Sequence, residues 1–101
     1  MKVPKSIKAF GRSYSVLHDN EVTDYHDCYG LVMHGQEHVY LQKRGPAFSE
    51  AKEGGVLMHE IFHIIDENLR CGLTEDQVGL LATGMYAIIV DNQLSFLPLK
   101  K

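Results

Sequence analysis

Apolar positions alternate with polar ones in the first half of the chain and recur at helical spacing in the second half. Ile7 to Phe10 and Tyr14 to Leu17 flank Gly11-Arg12, a pattern that predicts a β-hairpin. His18 to Asp24 is polar and reads as a connection. Cys28 to Met33 and His38 to Leu41, joined by a turn at His34-Gly35-Gln36, predict a second hairpin. Val39 and Leu41 alternate with Tyr40 and Gln42, as a half-buried strand should. Arg44-Gly45-Pro46 closes the strand region.

Two helices follow. Ser49 is a suitable N-cap for the first, which is expected to run to about Arg70. Gly54-Gly55 is a weak point near its start, so its firm part is expected from Val56. Gly72 suits the C-terminal cap. Thr74 and Gln77 form a capping box for a second helix reaching about Asp91. On it, Val78, Leu81, Ala82, Met85, Tyr86 and Ile89 form an apolar, inward face. A tail carrying Leu94, Phe96 and Leu97 is expected to fold back on the body. The pattern as a whole predicts one α+β domain over residues 1–101. A small twisted antiparallel or mixed sheet in the N-terminal half packs on two helices in the C-terminal half.

Composition narrows the class. The 101 residues suit one modest core. Hydrophobic residues at 45% and charged residues at 23% fit an ordinary soluble globule. A net charge of −3 gives no reason to expect nucleic acid as a partner. No stretch is apolar and long enough to span a bilayer, and no leader is expected, so the reading is no membrane and a cytoplasmic site. The two cysteines, Cys28 and Cys71, are expected to be reduced thiols. The histidine count, six, is high for this length.

His59-Glu60-Ile61-Phe62-His63 is an H-E-x-x-H sequence inside the first predicted helix. Residues four apart share a helix face, so both imidazoles can reach one zinc ion. Glu60 sits beside that face, where it can act as general base on a zinc-bound water in peptide hydrolysis. His59, Glu60, His63, Asp66 and Glu67 occupy one polar arc of roughly 120°. Leu57, Met58, Ile61, Phe62, Ile64, Ile65 and Leu69 fill most of the remainder. The competing reading of this stripe is a solvated charged face that carries histidines by chance.

A zinc site wants at least three protein donors. Asp66 shares the face but lies about 7.5 Å along the axis from the level of the ion. It reads as a supporting residue behind the ligands or as a salt-bridge partner. Glu75 fits better as the third ligand. It opens the second helix, falls in that helix's apolar arc, and is brought alongside His63 by the short link. Its alternative role is a first-turn acid that favours the helix dipole. His18, His26, His34 and His38 have no metal spacing among themselves, although a His26/Cys28 pair could bind one. Tyr25, Tyr29, His34 and His38 are candidates for an oxyanion donor if the strands flank the cleft. Tyr86, Met33, Met58 and Met85 read as core.

Met58 to Asp66 (M-H-E-I-F-H-I-I-D), Leu73 to Val78 (L-T-E-D-Q-V) and Asp91-Asn92 resemble small zincin-type proteins of phages and prophages. These are described as metallopeptidases related to the ImmA/IrrE group. Val3 to Lys8, Gly11 and Tyr14-Ser15-Val16 are similar to the usual start of those proteins. The resemblance implies a minimal zincin-like domain with one zinc ion held by His59, His63 and Glu75. It implies Glu60 as general base in a gluzincin-type site, and a host bacterial cytoplasm if the protein is phage-encoded. An edge strand could then hold an extended peptide by strand addition, with Val39 to Leu41 as the expected strand. Only eleven residues separate His63 from Glu75, a shorter gap than in the larger ImmA/IrrE-type proteins. The function expected is a zinc metallopeptidase acting on a protein or peptide. The alternative is a zincin-fold binding module that regulates a host protein and keeps zinc as a structural staple. The pattern fixes no oligomeric state.

Overall fold

The computed structural model describes residues 2–94. The expected packing of the tail through Phe96 and Leu97 lies outside the described residues. The elements run β1 (Ser6–Ala9), β2 (Arg12–His18), α1 (Asn20–Tyr25), β3 (Gly30–Met33), β4 (His38–Leu41), α2 (Glu50–Leu69) and α3 (Glu75–Asp91). The architecture is α+β: a four-stranded mixed sheet followed by two long helices.

The sheet order is β1-β2-β4-β3. Phe10 and Gly11, both at positive φ (54° and 75°), form the two-residue turn that joins β1 to β2. Such turns match the natural twist of a hairpin. β2 pairs in parallel with β4, setting Val16 beside Val39, while β3 runs antiparallel to β4. Ile7, Tyr14, Val16, Val39 and Leu41 all face one side, and Leu57 and Ile64 of α2 cover them. The period-2 alternation seen in the sequence is therefore the buried face of the sheet. α3 packs on α2 through a second cluster of Met58, Ala82 and Ile89. Among the described residues no helix is long and apolar enough to cross a membrane.

Four expectations need correction. The stretch His18 to Asp24 is not a plain connection but holds α1, capped by Asp19, whose side chain accepts from the Glu21 and Val22 amides. A six-residue helix with Thr23 as its one buried residue leaves no periodic signal to read. Val39 to Leu41 is not an edge, because the parallel pairing with β2 fills its outer side. The edge beside α2 is β3. The Gly54-Gly55 pair does not delay α2, which is continuous from Glu50 under the Ser49 cap. Finally, α3 buries only Val78, Ala82 and Ile89, since it touches one helix rather than a core on several sides. Leu81 and Met85 stay 46% and 41% exposed.

Two glycines set how closely the layers approach. A Cβ on Gly30 would come within 2.5 Å of Val56 Cγ1, so β3 can lie against α2 only without a side chain there. A Cβ on Gly54 would meet the Tyr86 ring at 2.6 Å, so the glycine that looked like a weakness is where α3 seats its tyrosine on α2.

Candidate metal centre and cleft

His59 and His63 lie one turn apart on α2, with ring centroids 4.9 Å apart. The α2–α3 link then decides what faces them. Arg70 ends α2 in the left-handed region (φ 52°), and Gly72 follows at φ 75°. Asp66 Oδ1 accepts the Leu73 amide N–H at 3.0 Å. The Thr74–Gln77 capping box starts α3 at Glu75, as its spacing predicts. Asp66 thus contacts the link that presents Glu75, which is a supporting position and not a ligand position.

The outcome is convergence. His59 Nε2 lies 2.6 Å from Glu75 Oε1, and His63 Nε2 lies 3.1 Å from Glu75 Oε2. One ligand atom from each residue falls within 4.8 Å of the others, the single such group of three among the described residues. Zinc bonds of about 2.0–2.2 Å put tetrahedral donors roughly 3.3 Å apart. Two imidazole nitrogens and a carboxylate at these separations fit a divalent ion of that size, with only a small outward shift of Glu75. The carboxylate does not point inward as expected. Glu75 is 71% exposed and closes the site from its rim.

Glu60 behaves differently. It is buried, only 5% exposed. Burial pushes its carboxyl from the ordinary 4.5 up to about 7. Neighbouring Glu75 adds to the rise, while His59 and a backbone hydrogen bond from Val32 oppose it. Burial and the Glu60 charge also raise the Cys28 thiol, which keeps it protonated and poorly nucleophilic.

These groups share a cleft of about 870 Å³ between the β3 edge, α2 and the start of α3. His26, Cys28 and Tyr29 line one wall, but His26 and Cys28 are not part of the three-residue metal group. Lys52 sits 3.8 Å over the Tyr29 ring. Tyr25 is 85% exposed and does not line the cleft. His38 pairs with Tyr40 at 3.0 Å, away from it. His34 does line it, at the turn after β3. The sequence offered no sign of the Val32 backbone bond to Glu60, because that contact depends on which strand takes the sheet edge. No family model, curated protein or solved structure matches this chain.

Proposed function

We propose that this chain is a zinc-dependent, metallopeptidase-like protein of minimal zincin type, with His59, His63 and Glu75 as ligands and Glu60 as general base. The observation that carries the reading is the meeting of both Nε2 atoms on one carboxylate, with a buried carboxyl one residue away in the same cleft. A zinc ion held there would supply the positive charge that acidifies a water molecule and polarises a carbonyl. Glu60, raised toward neutrality by burial, is suited to take a proton from water and return it to a departing amine. The β3 edge lies beside it and offers backbone groups to an extended chain, which favours a peptide over a compact small molecule.

The test is cleavage of a protein substrate by zinc-loaded wild type and Glu60→Gln. Loss of cleavage with zinc retained supports the assignment, and cleavage at the wild-type rate refutes it. The exposure of Glu75 favours a second reading. A ligand set at the rim, with no second lobe over it among the described residues, suits a module that sequesters a host protein around a structural zinc. In that case Glu60→Gln leaves function intact, whereas His63→Ala unfolds the domain.

A further inference from the structure

Peptide hydrolysis needs more than a base and a metal. The carbonyl oxygen becomes an anion, and a positioned hydrogen-bond donor at that oxygen is worth about 10²–10³ in rate. Two donors of the cleft are already engaged, and the Tyr29 and Tyr86 hydroxyls and the His26 ring carry no buried, unpartnered atom. Thr83 Oγ1 donates to Gly79 O at 2.8 Å. Lys52 Nζ donates to Ala47 O at 3.4 Å and covers Tyr29. Tyr86 is packed against Gly54, more than a turn before His59.

His34 is not engaged. Its Nδ1 is buried and has no hydrogen-bond partner. A buried N–H without an acceptor is a rarer defect than a bare lone pair, so the proton belongs on Nε2. The ring then carries one N–H with no acceptor in the protein, beside the cleft that it lines. Its level along the site follows from the packing of β3 on α2. Gly30 abuts Val56, and Val32 bonds Glu60. Two strand residues, about 6.6 Å, therefore match four helix residues, about 6 Å. Continued one residue past the end of β3, the same step points His34 toward the level of residues 63 and 64, in the cleft that His63 also lines.

We propose that His34 Nε2–H is the donor to the oxyanion in this cleft, an inference that rests on the metallopeptidase reading. As the oxygen of water bonds to the carbonyl carbon, Glu60 takes a proton from that water and the carbonyl π pair moves onto its oxygen. His34 donates a hydrogen bond to this oxygen without giving up its proton. On collapse the pair returns, the C–N bond breaks, and the amine nitrogen receives the proton from Glu60.

The experiment uses the zinc-loaded full chain and N-phosphoryl-leucyl-alanine, whose tetrahedral phosphoryl group carries anionic oxygens like those of the intermediate. Affinity is read by calorimetry and zinc content by elemental mass spectrometry. The expected result is that His34→Ala weakens binding about 10²-fold, within the range for one lost oxyanion donor, with zinc content unchanged. His34→Gln, which keeps a donor, should recover at least part of that loss. Equal affinity in wild type and His34→Ala overturns the proposal, as does a zinc-loaded wild type that does not bind the probe. A wild type that takes up no zinc overturns the underlying metallopeptidase reading and this proposal with it, so the two failures are distinct.

Discussion

Removing the charge of Glu60 should make the metal-free protein more stable at neutral pH. Burial raises this carboxyl from 4.5 to about 7 in the fold. The folded protein therefore holds a proton there, between those two values, that the unfolded chain has already released. Stability is thus fully present below about 4.5, falls as pH rises toward about 7, and is level beyond. At about 1.4 kcal/mol per unit, the loss amounts to about 3 kcal/mol. Glu60→Gln has nearly the same shape and cannot ionise. Urea unfolding of both metal-free proteins between pH 4 and 8 gives the difference directly. Wild type minus variant should drop by about 3 kcal/mol across that interval. A difference that does not change with pH would refute the claim that burial of an ionisable Glu60 dominates its environment. Zinc should reverse the trend, because bound positive charge favours the carboxylate.

Three further outcomes follow from the packing. Glu75→Ala should cut zinc retention well below that of wild type while leaving α3 in place, checked by elemental mass spectrometry and circular dichroism. Asp66→Ala frees the Leu73 amide and should weaken zinc binding by about 10-fold, as loss of a residue supporting a ligand commonly does, measured by competition with a chelator. Gly54→Ala should destabilise by about 1–2 kcal/mol in chemical unfolding. The clash with Tyr86 outweighs the gain of about 1 kcal/mol from better helix propensity, and in a Tyr86→Ala background, where the clashing ring is gone, Gly54→Ala should stabilise instead.

Local chemistry made most of the elements legible. Ser49, the Thr74–Gln77 box and the alternation of Tyr14 and Val16 with Ser13 and Ser15 each act over a few residues, so the sequence carries them openly. The edge of the sheet was not legible. β2 and β4 are parallel neighbours separated in sequence by α1 and β3, and nothing in either strand's pattern states that pairing. A hairpin reading therefore left β4 as the expected edge, a place β2 fills, whereas the burial of Val39 and Leu41 agrees with their alternation. The inward face of α3 was over-read for a related reason. Leu81 and Met85 are apolar but exposed, and periodicity reports a residue's preference without saying whether a neighbour is present to satisfy it.

The site divides along the same line. His59 and His63 are fixed by spacing on one helix, so their shared face follows from geometry alone. Glu75 was found by a weaker route, and part of that route was wrong. It was expected because a buried carboxylate needs a partner, yet it is exposed and reaches the histidines because the link places it there. The buried carboxylate of the cleft is Glu60 instead. Its burial requires β3 to press on α2, which Gly30 permits, and its one backbone bond comes from the strand the sequence did not mark as an edge. The histidine pair can thus be read from helical spacing, whereas the acidity of Glu60 is a tertiary property. If Gly30 were given a side chain, β3 would be forced off α2. Glu60 would then gain water and lose its raised pKa while His59, His63 and Glu75 kept their places. The structure therefore predicts that Gly30→Ala separates the two halves of the site. Zinc should still bind, and the pH-dependent stability difference attributed to Glu60 should shrink. Loss of zinc together with that difference would show that sheet and helices cannot be perturbed independently.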